Sequence, residues 1–474
     1  MPLRVVILNY KEGFKQVYVQ KGGIMILQYE VKNYKVFKER ATLSFLASNY
    51  DKKTCEQENV QNIAEKKLRL LSSMVVYGAN AAGKTKLFES LEFFKQFVIN
   101  SSKESQQGQA INVQPFLLSE ATEHESSEFE IIFLSDGAVY RYGIEVTREK
   151  VLAEWLYYKP ASHELQIFYR DTVDGTFESH PKHFKKGAML HKENMVRPNA
   201  LMLSVAAQFN DRICSDVLNW FVEKCNIIFC FREDWQTGYT ANRFKDQDWH
   251  DKIMSLIRGS DVCIQDIQPK TPSEDLLSHV SPEMKKRMLD MAFKEKAGDT
   301  AELVTTHHTY DASNKIIGKT QFSMDRDESQ GTLKYFSLLG PVLQTLEGGG
   351  ILFVDEFDAG LHPNLALKLF SLFNNPKLNR HGSQLIITAH NSIFLGSELL
   401  RKDQFWFVEK DRFEAAHLYS LAEFKAEKVR VSENYETNYL RGKYGGTPYL
   451  GFYDTYEELV CEKEKEWLLE KLKK

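Results

Sequence analysis

Two glycines, a lysine and a hydroxyl stand in the order Gly78-Ala-Asn-Ala-Ala-Gly83-Lys84-Thr85, the pattern G-x4-G-K-[ST]. Glycines let backbone N–H groups wrap a phosphate, and a helix beginning there adds the positive end of its dipole. Lys84 would then reach the terminal phosphates and Thr85 could ligate Mg2+, so Gly78, Asn80, Gly83, Lys84 and Thr85 are candidate nucleotide contacts. A second cluster, Ile351-Leu-Phe-Val-Asp355-Glu356, is an apolar run ending in two acids. Such a run places Asp355 and Glu356 at the carboxyl end of a buried strand, where open α/β sheets bind ligands. There Asp355 would hold Mg2+ through water, and Glu356 would act as general base on an attacking water.

Three further pieces follow in a fixed order. Glu328-Ser-Gln-Gly-Thr332 opens a helix ahead of the acid pair, where Ser329 and Gly331 can donate to a γ-phosphate. Asp358-Ala-Gly-Leu361 follows the acids directly, and Thr388-Ala-His390 ends the next strand, putting His390 beside the same phosphate. Singly each piece is weak, because Ser-x-Gly is usually a turn and a histidine at a strand end is more often structural. Their order and spacing carry the argument. Gln114, before Pro115-Phe116, reads either as a glutamine on the metal side of the site or as an ordinary surface residue.

The elements that must position these residues are legible in outline. Ser73-Met-Val-Val-Tyr77, the glycine turn, and then Leu87, Phe88, Leu91, Phe94 and Val98 at helical spacing give strand, loop and helix. From Met25 to Phe45 the pattern alternates as two strands, and Asp136-Gly137 between two alternating runs predicts a hairpin. Further strands are expected at Val151 to Tyr158 and Leu165 to Tyr169, making an antiparallel lobe inserted after the first helix. The stretch 181–320 reads as a mainly helical insertion, with helices at Leu201 to Ala207, Cys214 to Val222 and Pro282 to Lys296. No heptads are sustained over several turns, so no long coiled coil is expected. From Leu333 the order helix, strand Ile351 to Val354, helix, strand Gln384 to Thr388 and strand Phe405 to Val408 predicts a helix-covered, mostly parallel sheet. The fold class is therefore α/β. Its predicted divisions are 1–24, 25–180, 181–320, 321–410 and 411–474, the last ending in an amphipathic surface helix. Residues 1–24 read either as an extension before a natural start at Met25 or as an edge strand.

Composition narrows the function classes. The 474 residues suffice for roughly three lobes at about 150 residues each. With 43% hydrophobic and 27% charged residues, the chain is neither disordered nor fibrous. Lys and Arg number 61 against 65 Asp and Glu, a net charge of -4, so no global positive field draws it to nucleic acid. The basic run His180 to Lys186 is read as a solvated turn in preference to a nucleic-acid contact. Six cysteines without zinc-site spacing, no signal-peptide core and no apolar stretch of membrane-spanning length predict a cytoplasmic protein away from membranes. Asp325-Arg-Asp327 is the one acid pair suggestive of a toprim nuclease, but no apolar strand precedes it.

Taken together, GANAAGKT, ESQGT, ILFVDEFDAGLHP and ITAHNS, with the leading QYEVKNYKVFKE and the trailing YLRGKYGGTPYL, resemble the SMC/RecF-like family of ABC-class AAA ATPases from bacterial anti-phage loci. Within it the chain is most similar to the ATPase subunits of PARIS-type defence systems, with RloA-type proteins close. The resemblance implies an ABC-type P-loop ATPase head with a mixed sheet. It implies ATP and Mg2+ as cofactors, and a homo-oligomer in which Lys84 and Glu356 of one chain face Ser329 and Gly331 of another. A toprim-type nuclease subunit and a phage anti-restriction trigger protein are the implied partners. DNA is the partner of the alternative reading, a RecF/SMC-like repair ATPase. Lys35 stands where relatives carry an arginine that meets the nucleotide, and Gln330 departs from the usual signature residue; together these imply slow hydrolysis.

Overall fold

The computed structural model describes residues 23–103, 106–229, 233–244, 246–260, 263–269, 303–424 and 433–448. The expected extension or edge strand before Met25, the helix at Pro282 to Lys296 and the C-terminal amphipathic helix lie, wholly or nearly so, outside them.

The chain begins with β1 (Met25–Lys32) and β2 (Ala41–Ser44), an antiparallel pair. A small ladder of β3 (Val60–Ile63) and β4 (Leu68–Leu71) leads into β5 (Ser73–Tyr77), the glycine loop and helix α1 (Lys84–Asn100). Next comes the meander β6 (Ser127–Ser135), β7 (Ala138–Val146), β8 (Val151–Lys159), β9 (Leu165–Asp171) and β10 (Phe177–Ser179). Asp136 and Gly137, with φ of 48° and 76°, form its first turn; both residues sit in the left-handed region, as a two-residue hairpin turn of the primed type requires. The sheet runs β10-β9-β8-β7-β6-β1-β2. The antiparallel lobe is thus not purely an insertion after α1: β6 pairs with β1, so strands from both sides of the glycine loop build one sheet.

The middle region holds α2 (Lys185–Lys192), α3 (Met202–Gln208) and α4 (Arg212–Glu223), as its periodicity suggests. It departs from the helical expectation immediately afterwards. β11 (Cys225–Ile228) pairs in parallel with β15 (Ile351–Val354) and becomes an edge of the mostly parallel sheet. After α5 (Glu233–Arg243) and α6 (Gln247–Arg258), three strands form a separate antiparallel sheet. These are β12 (Asp266–Pro269), β13 (Leu303–Tyr310) and β14 (Ile316–Ser323). Asp325 and Asp327 lie in the turn after β14, where Asp327 accepts from the Ser323 amide, so they end no buried strand.

Helix α7 (Gln330–Gly348) precedes β15; α8 (Pro363–Ser371) and β16 (Gln384–Thr388) follow it, then β17 (Phe405–Lys410), β18 (Ala416–Ser420) and the short α9 (Tyr435–Leu440). The second sheet runs β11-β15-β16-β5-β17-β18, parallel except for β18. Side chains alternate across each strand with period two, so this sheet divides the core. Met74, Val76, Ile351, Phe353, Ile386, Trp406 and Val408 face α1 and the antiparallel sheet. Val75, Tyr77, Leu352, Val354, Leu385, Ile387, Phe405 and Phe407 face α6, α7 and α8. Both faces are covered, which explains why β5, β15 and β16 are buried along their full length. The fold is the expected mixed α/β head, with an antiparallel lobe and helices packed beside it. No long coiled coil occurs among the described residues.

Candidate functional site

Parallel packing of β15, β16 and β5 brings their carboxyl ends side by side, so motifs hundreds of residues apart converge. At the end of β5 the chain turns sharply under β17. A Cβ on Gly78 would lie 2.4 Å from the Val408 carbonyl oxygen, so only glycine lets the loop leave the sheet there. Gly83, with φ of 122°, caps the entry to α1 in a conformation that L side chains rarely adopt.

Lys84 is buried, and its Nζ donates to the carbonyls of Gly78 at 2.7 Å and Ala79 at 3.2 Å. The ammonium is folded over the loop's own backbone, over the space that the loop is shaped to give a phosphate. Burial depresses its pKa below the usual lysine range, while Asp355, Glu356 and Asp358 pull the other way. A phosphate placed there would add negative charge and favour the protonated form. Asn80, at the loop's exposed tip, lies beside Ala81, whose φ is 60°.

Thr85 Oγ1 donates to Asp355 Oδ2 at 2.8 Å. The other carboxylate oxygen, Oδ1, accepts from Thr388 Oγ1 at 2.7 Å, and that hydroxyl in turn accepts from the Glu356 amide at 2.7 Å. Thr388 was not foreseen as a site residue; a hydroxyl ending a buried strand two residues before His390 was the available signal. The chain of bonds fixes both acids: Asp355 is held rigid and buried, and Glu356 turns out of the strand with φ of 48°. Glu356 and His390 stand 3.9 Å apart, each with 43% of its side chain exposed, so the two side chains face open space together. The His390 and Asn391 amides donate to the Asp358 carboxylate, tying the loop after β16 to the residues that follow the acid pair.

Ser329 caps α7, its Oγ accepting from the Thr332 amide at 3.1 Å, and it is exposed. A Cβ on Gly331 would meet the Gly360 carbonyl oxygen at 2.6 Å, so the first turn of α7 lies directly on the loop after Asp358. Glu328, one residue before the cap, accepts from Thr305 Oγ1 at 2.5 Å and lies 2.8 Å from His307 Nε2, which anchors the loop to β13. Lys35 and Gln114 meet elsewhere on the rim. The Lys35 amide donates to the Gln114 carbonyl, and its ammonium pairs with Glu89 of α1 at 2.5 Å. Both line a cleft with Lys86, Pro115, Leu117 and Leu118; the Gln114 side chain makes no hydrogen bond to Thr85 or Asp355.

A hydroxyl and a carboxylate 2.8 Å apart form the hard-oxygen pair that suits Mg2+, which takes one or two protein oxygens beside phosphates and water. Thr85 and Asp355 are the residues that would hold it. No helix among the described residues is long and apolar enough to cross a membrane.

Comparison with curated proteins finds no match. Similar solved structures include an SMC head domain from Thermotoga maritima, 10% identical with a TM-score of 0.34, covering 83% of this chain and 98% of that one. Another is the SMC head bound to the C-terminal winged-helix domain of ScpA, 12% identical with a TM-score of 0.33, covering 85% and 99%. A family model described as "AAA domain, putative AbiEii toxin, Type IV TA system" matches residues 73–185 and 270–396. That match takes in about half of the chain, from the first residue of β5 to the loop beyond His390, and the chain belongs to this AAA-domain family.

Proposed function

We propose that this chain binds and hydrolyses ATP with Mg2+ as one subunit of a bacterial anti-phage defence complex. The observation that carries the enzymatic reading is the hydrogen-bonded chain Thr85–Asp355–Thr388–Glu356, with Lys84 across from it. Mg2+ bound to Thr85 and Asp355 would neutralise charge on the β- and γ-phosphate oxygens. Lys84 leaves its carbonyl partners for the phosphates. Glu356 takes a proton from water as the water oxygen bonds to the γ-phosphorus and the bond to the β-phosphate oxygen breaks, releasing ADP and phosphate. His390 meets the γ-phosphate from the β16 side.

Ser329 and Gly331 complete this site from a second copy, which makes the working form a homo-oligomer assembled from ATP sandwiches. The exposure of the Ser329 cap, Glu356 and His390 supports this arrangement. The defence role is supported by the family's description, with its words "putative AbiEii toxin, Type IV TA system", and by the motif resemblance. On this reading the chain is most like AriA, the ATPase of the PARIS system: it senses a phage anti-restriction protein and holds a toprim-type nuclease subunit in check. The test is phosphate release from ATP by the purified protein, followed by co-purification with a toprim-family nuclease encoded beside it. Turnover stimulated by DNA fragments, with no nuclease retained, would instead give the repair-ATPase reading.

A further inference from the structure

The trailing residues Tyr439 to Thr447 belong to no part of the site just described, yet they pack beneath it. Gly446, with φ of 66°, rests against the glycine loop: a Cβ there would be in van der Waals contact with Gly78 Cα at 3.7 Å and the Phe407 ring at 3.4 Å. The Tyr439 hydroxyl donates to the Gly446 carbonyl at 3.1 Å. Beside it the Tyr419 hydroxyl lies 2.8 Å from the Tyr444 carbonyl oxygen, and a Cβ on Gly445 would fall 2.4 Å from that hydroxyl.

The same short segment also reaches the other side of the reaction centre. Glu436 Oε1 accepts from Ser392 Oγ at 2.7 Å, two residues after His390. Gly396 leaves room for this carboxylate, since a Cβ there would sit 2.3 Å from Glu436 Oε2. Between the two contacts stands Tyr77, the residue immediately before Gly78. Its ring lies 5.3 Å from Tyr439 and 6.2 Å from Phe407, and its hydroxyl donates to the Asn391 carbonyl at 3.0 Å. The loop carrying His390 is therefore held at three points: by Asp358 through its amides, by Tyr77 through a carbonyl and by Glu436 through a side chain.

We propose that residues 435–446 form a clamp that sets the hydrolytic geometry, with Glu436 as a positioning residue for the His390 loop and Gly446 as the seat of the glycine loop. This rests on the ATPase reading above. Neither residue touches the phosphates; each acts through the loop that does. The two contacts are separable, so the clamp predicts two different kinetic signatures from one segment. Glu436 should govern turnover, because a displacement near 1 Å at a reacting group costs on the order of a hundredfold. Gly446 should govern affinity, because a methyl group there has space but strains a backbone held at positive φ, and relief of that strain shifts the segment on which Gly78 rests.

The experiment measures ATP affinity by calorimetry, single-turnover hydrolysis, and amide hydrogen exchange of residues 388–396, on the full chain with ATP and Mg2+. Glu436→Ala is expected to lower the hydrolytic rate by about tenfold or more with ATP affinity within about twofold, and to speed exchange at His390 and Asn391. Glu436→Gln keeps an acceptor oxygen for Ser392 and should recover most of the rate. Gly446→Ala should weaken ATP affinity more than it slows the bound step. The clamp is overturned if Glu436→Ala leaves both rate and exchange unchanged, or if Gln fails as badly as Ala at equal thermal stability. It is equally overturned if both sites lower affinity and rate in the same proportion. If the wild type binds ATP without hydrolysing it, the ATPase reading falls, and the exchange of residues 388–396 alone decides the clamp.

Discussion

Thr85 donates to Asp355 at 2.8 Å although 270 residues separate them in sequence. The bond joins the first turn of α1 to the end of β15, two elements that also meet through the Phe88 and Phe353 rings, 5.2 Å apart, although β16 separates β15 from β5 in the sheet. On the proposed function it pre-forms the oxygen pair that would hold a divalent cation, so little reorganisation would be needed when nucleotide arrives. The same carboxylate holds Thr388 and, through it, the backbone of Glu356, so the metal site and the general base proposed above would both be set by one buried acid.

Lys84→Ala removes the cationic side chain that the glycine loop holds over the phosphate position. A charge-assisted hydrogen bond is roughly twice as strong as a neutral one and contributes about 1.5–3 kcal/mol, so ATP binding should fall by on the order of a hundredfold. Calorimetry with ATP and Mg2+ checks this. The variant also leaves the buried Gly78 carbonyl without its ammonium partner, at about 1–3 kcal/mol of stability, so binding is measured well below its unfolding temperature.

Glu356→Gln should leave ATP affinity intact while slowing hydrolysis by about a hundredfold or more, the usual contribution of a general base. The Glu356 amide keeps its bond to Thr388, so the side chain's place is unchanged and only its basicity is lost. Single-turnover rates distinguish this from a binding defect; a variant as fast as the parent would remove Glu356 from the chemistry.

Thr388→Val deletes a hydroxyl that both donates to Asp355 and accepts from Glu356, at nearly constant volume. Stranding two partners costs about 1–3 kcal/mol for each buried polar group left unpaired. The variant should unfold at lower temperature and hydrolyse ATP about tenfold or more slowly, with a weakened dependence on Mg2+ seen in a metal titration. Normal turnover would mean that Asp355 and Glu356 are positioned by the strand alone.

Much of this site was readable because its parts are local in sequence and each sits at a strand end. The glycine loop, the acid pair and the histidine each occupy a few consecutive residues, and parallel strands bring such ends together. What escaped was of two kinds. Cys225 to Ile228 is a four-residue strand directly after α4, too short for periodicity to separate from a helix tail. β13 is rich in Thr and His, and β14 is exposed along nearly its whole length, so no apolar alternation marks them. Long-range polar pairs such as Glu436 with Ser392 leave no sequence signal, because a carboxylate and a hydroxyl 44 residues apart resemble any surface pair.

The last prediction concerns assembly. Ser329 caps α7 at the exposed start of a 19-residue helix, and Gly331 lies on Gly360, so this loop is braced from behind by the residues that follow the acid pair. An exposed helix amino terminus is suited to an anion, yet Ser329, whose hydroxyl bonds to Thr332, and Lys84 make no hydrogen bond to one another within the chain. In an ATP sandwich, a second copy turned about a two-fold axis supplies its Ser329 to this chain's nucleotide, and each chain gives and receives the same loops. Ser329→Arg should then block closure and hydrolysis while leaving ATP on Lys84. Mixing Lys84→Ala chains with Ser329→Arg chains should restore one working composite site per pair, because the intact glycine loop of one meets the intact Ser329 of the other. Light scattering of the wild type with ATP, or with Glu356→Gln to slow turnover, should show at least a dimer. A monomer at every concentration with ATP bound, or normal hydrolysis by Ser329→Arg, would make the chain a self-contained ATPase whose α7 cap serves only its own helix.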